Sequence, residues 1–215
     1  MSEGRPIEPT ATMGAGPRSL RRLFQDWTAD CRGIAATEFA FIVPLMLVLF
    51  FGTVEFCSAI AINRKVSLTA RTLSDLTSQS TSVADTDMAN FFLVASKIIW
   101  PYPETQPNPY FVYPVSGTIS ELYVDPTTHK ARVEWSKGTV PLTPGAIVST
   151  VPSALLVDDS YLIYSQVSYV YKPTVGWVMD KGGITLSDIA YTRPRQSRCV
   201  LYIAGSTTTT SPCPD

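Results

Sequence analysis

The sequence predicts an α+β chain: a long N-terminal helix, with a transmembrane half and an amphipathic half, packed on a small antiparallel sheet. Three observations carry that expectation. From Phe39 to Val54 no residue is charged. From Ile62 through Val66, Ala70, Leu73 and Leu76, apolar residues recur at spacings of three and four, which is the helical period. Beyond about residue 110 the apolar period falls to two, the period of a strand with one buried face.

Composition bounds the rest. The chain has 215 residues, 45 % hydrophobic and 16 % charged. Roughly 25 % charged is usual for soluble domains, and a membrane segment accounts for part of the deficit. The length admits one ordinary domain plus an anchor. A net charge of −1, with both signs intermixed, gives no bulk attraction to nucleic acid. Residues 1–33 are rich in Gly, Pro and polar side chains and read as a cytoplasmic leader. Arg18, Arg21, Arg22 and Arg32 precede the apolar run; Arg64, Lys65 and Arg71 follow it. That small excess favours a cytoplasmic N-terminus and an exported C-terminal part.

The uncharged run from Phe39 to Val54 rises roughly 24 Å as a helix, short of a hydrocarbon core of about 30 Å. Extending it gives a transmembrane helix over 34–62 and places Glu55 inside as a second intramembrane acid. Glu55 must then be protonated, paired with another subunit, or drawn to the outer interface. Pro44 is expected to kink the helix or free one carbonyl. Ala59-Ile60-Ala61 keeps two alternatives open. One is a secretory signal peptide cut near Ala61, releasing a soluble periplasmic binding module. The other is an uncleaved anchor on a protein of unknown chemistry.

The remaining elements follow in order. The amphipathic helix continues over 63–80, and 81–215 forms the exported α+β head. Residues 77–87 read as a polar connector. Asp85 or Asp87 caps a second helix that runs to about Trp100 with Phe91, Val94, Ala95, Ile98 and Ile99 as its stripe; Pro101 and Pro103 stop it. Ile119–Val124 and Ala131–Trp135 flank Asp125-Pro-Thr-Thr-His-Lys130, a hairpin signal. Residues 138–159, with Gly138, Pro141, Pro144, Gly145 and Pro152, read as a loop with one short helix. Tyr161–Tyr171, Ile184–Tyr191 and Val200–Ile203 are further strands, and Ser206–Ser211 opens a flexible tail.

Chemistry-bearing residues are sparse. His129 is the single histidine and lies in the hairpin turn. There is no Cys-x-x-Cys, no phosphate loop and no Gly-x-Ser-x-Gly. The carboxylates of Asp158 and Asp159 are adjacent and point apart. The expectation is no enzyme, no metal and no cofactor. Of four cysteines, Cys31 lies in the leader and Cys57 in the membrane segment. Cys199 and Cys213 either close a disulfide loop in an oxidising compartment or end in a frayed tail.

One stretch is more specific. Gly33 to Pro44 reads Gly-Ile-Ala-Ala-Thr-Glu-Phe-Ala-Phe-Ile-Val-Pro, with Glu38 five residues after a glycine at the mouth of the apolar run. A cut after Gly33 would make Ile34 a new N-terminus. Glu38, one helical turn on, could pair with that amine or with a neighbouring subunit's. Together with the Ala70-Arg-Thr-Leu-Ser-Asp-Leu76 segment and Arg193-Pro-Arg195, this resembles type IV pilin-like proteins. More narrowly, it resembles the TadE/TadG-type minor pseudopilins of the tight-adherence (Flp, type IVc) pilus system. The resemblance implies a leader ending at Gly33, removed by a prepilin peptidase, and Glu38 as the acid that inserts or registers the subunit. It implies a single-pass protein of the bacterial inner membrane with a periplasmic head, able to enter an extracellular pilus. The implied partners are other minor pseudopilins, the major pilin and the inner-membrane secretion platform.

Overall fold

The computed structural model describes residues 32–100, 115–173, 183–204 and 207–208. The leader before Arg32, Pro101 and Pro103, Cys31 and Cys213, and all of the tail except 207–208 lie outside the described residues. The elements are α1 (Arg32–Ser78), β1 (Ser82–Ala84), α2 (Asp85–Ile99), β2 (Val115–Asp125), β3 (Lys130–Gly138), a single 3₁₀ turn (Ser153–Leu155), β4 (Ser160–Tyr171), β5 (Ile184–Thr192), β6 (Leu201–Ala204) and β7 (Thr207–Thr208). The fold class is α+β, as the sequence predicts. The chain divides into two compact units between Phe50 and Phe51.

In the first unit the described residues are all helical. From Ala35 to Phe50 every side chain except Val43 is exposed, Phe41 to 82 %. Pro44 lies inside the helix, where it has no amide hydrogen to give to the carbonyl of Ala40.

The second unit is built around a four-stranded sheet in the order β3-β2-β4-β5, with every neighbouring pair antiparallel. Strand alternation sends odd residues of β4 to one face and even residues to the other. Ile163 and Val167 join Ile119 of β2 in a core with Ile62, Val66, Ala70 and Leu73 of α1 and Met88, Phe92, Ala95 and Ile99 of α2. Leu162 and Tyr164 join Leu122, Val124, Ala131 and Val133 on the opposite face, where Leu142, Val148, Leu155 and Leu156 cover them. The sheet is therefore buried on both sides, by helices on one and by the 139–159 segment on the other.

The hairpin forms as its turn residues require. Asp125 Oδ1 accepts the Thr127 amide at 2.8 Å, and the Asp125 carbonyl accepts the His129 amide at 2.8 Å. The Thr127 amide holds the Asp125 carboxyl below the usual carboxylate range. Gly138 has φ +145, and a Cβ there would come 2.2 Å from the Gly117 carbonyl oxygen, so the strand crossing needs a glycine.

Four local expectations are corrected. The connector expected over 77–87 is shorter: α1 runs to Ser78, with Thr77 donating to the Leu73 carbonyl at 2.9 Å, and β1 pairs parallel with β6. Neither aspartate is the cap of α2; Ala84 is. Asp87 Oδ2 instead accepts the Ala84 amide at 2.9 Å, and Asp85 and Asp87 both sit in the first turn, where the helix dipole favours anions. The stripe of α2 is rotated: Met88, Phe92, Ala95 and Ile99 are buried, while Val94 is exposed. The strand near Val200 leaves the main sheet and joins β1 and β7 in a second one.

Candidate processing and assembly segment

Gly33, Ile34 and Glu38 all lie on α1, with Gly33 and Glu38 exposed. Positions 34 and 38 are one helical turn apart along α1. Among the described residues one helix, Ala35–Ser78, is long and apolar enough to cross a membrane. Glu38 sits near the start of that helix.

Glu55, the second acid of the apolar run, has a different setting. It belongs to the second unit and is 9 % exposed. The Tyr171 hydroxyl, at the end of β4, donates to Glu55 Oε2. The acid expected to need a proton, another subunit or the lipid interface meets a donor of its own chain. The period-two alternation of Tyr161–Tyr171 marks the strand, but only the packing of the strand on the helix brings Tyr171 to Glu55. The same contact face carries Ser165, which interrupts the apolar alternation of β4. Its hydroxyl donates to the Ala70 carbonyl at 2.5 Å. Ser74 and Thr192 hydroxyls lie 2.7 Å apart beside it. Small polar side chains thus tie α1 to the sheet where an aliphatic pair would hold it farther off.

A third acid was not anticipated. Glu121 is 1 % exposed in the middle of β2. The pairing of β2 with β3 shifts between Glu121 and Leu122, so Glu134 is an extra residue in β3. That bulge turns Trp135 away from the face of Ala131 and Val133 and sets it beside Glu121. The Trp135 indole N–H donates to Glu121 Oε2 at 3.0 Å, and the Val200 amide donates to Oε1 at 2.5 Å. Burial pushes the Glu121 carboxyl up to about 8, and the nearby Glu134 charge adds to the rise; the bonds from Val200 and Trp135 oppose it. The available sequence signal was a glutamate inside the apolar period of a strand whose two faces are both apolar.

His129 and the paired aspartates do not gather. His129 Nδ1 lies 2.6 Å from Asp158 Oδ1, and Asp159 turns instead to Arg198 and Tyr123. Among the described residues no three His, Cys, Asp or Glu side chains could hold a metal ion. Cys57 is a free, exposed thiol on α1, and Cys199 is buried just before β6.

Comparison with known proteins bears on the helix. Residues 33–73 match the family model described as TadE-like protein. No curated protein and no solved structure matches the chain. The family is structural in kind and is associated with the Tad pilus, a setting that agrees with one apolar helix near the N-terminus. The match covers the segment from Gly33 to Leu73 on α1, and that segment is similar to TadE-like proteins.

Proposed function

We propose that the chain is a minor pseudopilin that supports initiation, capping or assembly of an adhesive Flp-type pilus. The observation that carries this reading is the family match starting at Gly33, with Glu38 exposed one turn beyond Ile34 on the same helix. A prepilin peptidase cuts after Gly33 on the cytoplasmic side. The ammonium of Ile34 then pairs with Glu38 of its own or a neighbouring subunit. An ion pair in a low-dielectric bundle is favourable only with good geometry, so the pairing also sets the stagger between subunits. The apolar run that ends at Val54 crosses the inner membrane, and 81–215 form the periplasmic head, which holds Glu55 through Tyr171. The partners are other minor pseudopilins, the major pilin and the inner-membrane secretion platform.

One geometric fact favours this cut over a signal-peptidase cut near Ala61. Removing everything before Ile62 would take away Glu55 and leave the Tyr171 hydroxyl, buried at the end of β4, without that acceptor. We also assign a disulfide between Cys199 and Cys213, closing a short C-terminal loop worth about 3 kcal/mol in the chain-entropy model.

Intact-mass analysis of the protein from its native host tests both points. The expected species begins at Ile34 and, when alkylated without reduction, leaves Cys199 and Cys213 unmodified. A species beginning at Met1 or Ile62 would overturn the processing step, and alkylation at both cysteines would overturn the bond.

A further inference from the structure

Strand β6 is held to the main sheet by side chains at its start. Both backbone polar groups of Val200, the residue before β6, are engaged by the hairpin: its amide donates to Glu121 Oε1 at 2.5 Å, and its carbonyl accepts the Trp135 indole N–H at 2.8 Å. A paired strand would engage a residue in the same two ways; here an acid and an indole take its place. Trp135 also stacks on Tyr202 of β6, with ring centroids 5.7 Å apart. Among the described residues no Lys, Arg or His forms an ion pair with Glu121.

We propose that Glu121 and Trp135 form a proton-held clip: the neutral acid keeps β6 docked, and loss of its proton to solvent loosens β6 from the hairpin. The charged groups nearby do not offset a Glu121 carboxylate. Glu134 on β3 is of like sign, and Tyr161 on β4 is a neutral phenol whose own proton is held more tightly by burial first and then by the charges of Glu134 and Glu121. Arg198, two residues before Val200, is turned to Asp159. Lys137 on β3 lies over the Tyr202 ring and 3.8 Å from Asp85 of α2, which accepts the Tyr202 hydroxyl. An ionised Glu121 is therefore a buried charge without a cation, the costly arrangement.

The sign follows from linkage. Docked, burial pushes the carboxyl up to about 8 against the bonds from Val200 and Trp135; released into water it returns toward the ordinary glutamate value. Between those values opening gives up a proton, so the opening equilibrium rises about tenfold per pH unit and levels off above pH 8. Opening also strips β1 of its register partners Leu201, Tyr202 and Ile203.

Amide exchange read by mass spectrometry tests the clip on the full chain in detergent, at pH 6 to 9 and corrected for intrinsic rates. The expected result is loss of protection over 200–204 by about tenfold per pH unit from 6 to 8, with β2 and β4 unchanged. Glu121→Gln should flatten that profile. A flat wild-type profile, or the same slope in Glu121→Gln, overturns the proposal, as does uniform loss across the sheet. If Glu121→Gln does not fold, infrared titration of wild-type protein carrying isotope-labelled glutamate decides the matter. A protonated carboxyl lost with a midpoint near 8 supports the clip, and all glutamates titrating at ordinary carboxylate values overturns it.

Discussion

Two stretches of the same helix meet opposite surroundings. Between Ala35 and Phe50, α1 shows phenylalanines, leucines and Glu38 on its outside. Between Glu55 and Thr77 it has one face that is almost wholly buried, with Ile62, Val66, Ala70 and Leu73 at 0 % exposure and Glu55 beside Tyr171. Each stretch carries one acid. Glu38 is exposed, where the proposed processing would bring it a cation, whereas Glu55 is met within the head. The difference teaches that an acid in an apolar run is not one kind of feature. What it does depends on whether its own fold supplies a donor.

That contrast can be broken at four positions. Leu73→Ala should destabilise the head by about 2–5 kcal/mol, because it opens a cavity in the shared core. Leu45→Ala, an exposed position of the first stretch, should change it by less than about 0.5 kcal/mol. Denaturant melts of both variants in the same detergent read the pair, and equal losses would erase the distinction. Tyr171→Phe should cost about 1–3 kcal/mol, since it leaves the Glu55 carboxyl buried without that donor. A melt unchanged from wild type would mean that Glu55 does not depend on Tyr171. Glu38→Gln should have the smallest effect on the melt, under about 0.5 kcal/mol, and should leave the protein membrane-bound. Its consequence appears in assembly, as reduced surface pili in the host. Normal piliation in that variant would count against the pairing with Ile34.

Much of the fold could be read from residue order. The helical period through Leu73, the Asp125–Lys130 turn and the alternation of Tyr161–Tyr171 each report local geometry, and each element is present. The errors share a cause. The cap of α2, the turn of its stripe and the place of β6 depend on what packs against them, and one sequence does not state its neighbours. The candidate processing segment could be singled out because its parts are contiguous, from Gly33 to Glu38. The Glu55–Tyr171 pair and the Glu121–Trp135–Val200 cluster were not. Their members are separated by as many as 116 residues in the first case and 79 in the second.

Residue order was enough to specify a long apolar helix, its amphipathic continuation and a hairpin-bearing sheet, since spacing and turn chemistry act over a few residues. Which acids end up exposed or enclosed was settled by packing. Burying a carboxyl requires donors from distant strands, and those donors arrive when the sheet closes on α1 and a bulge swings Trp135 toward Glu121.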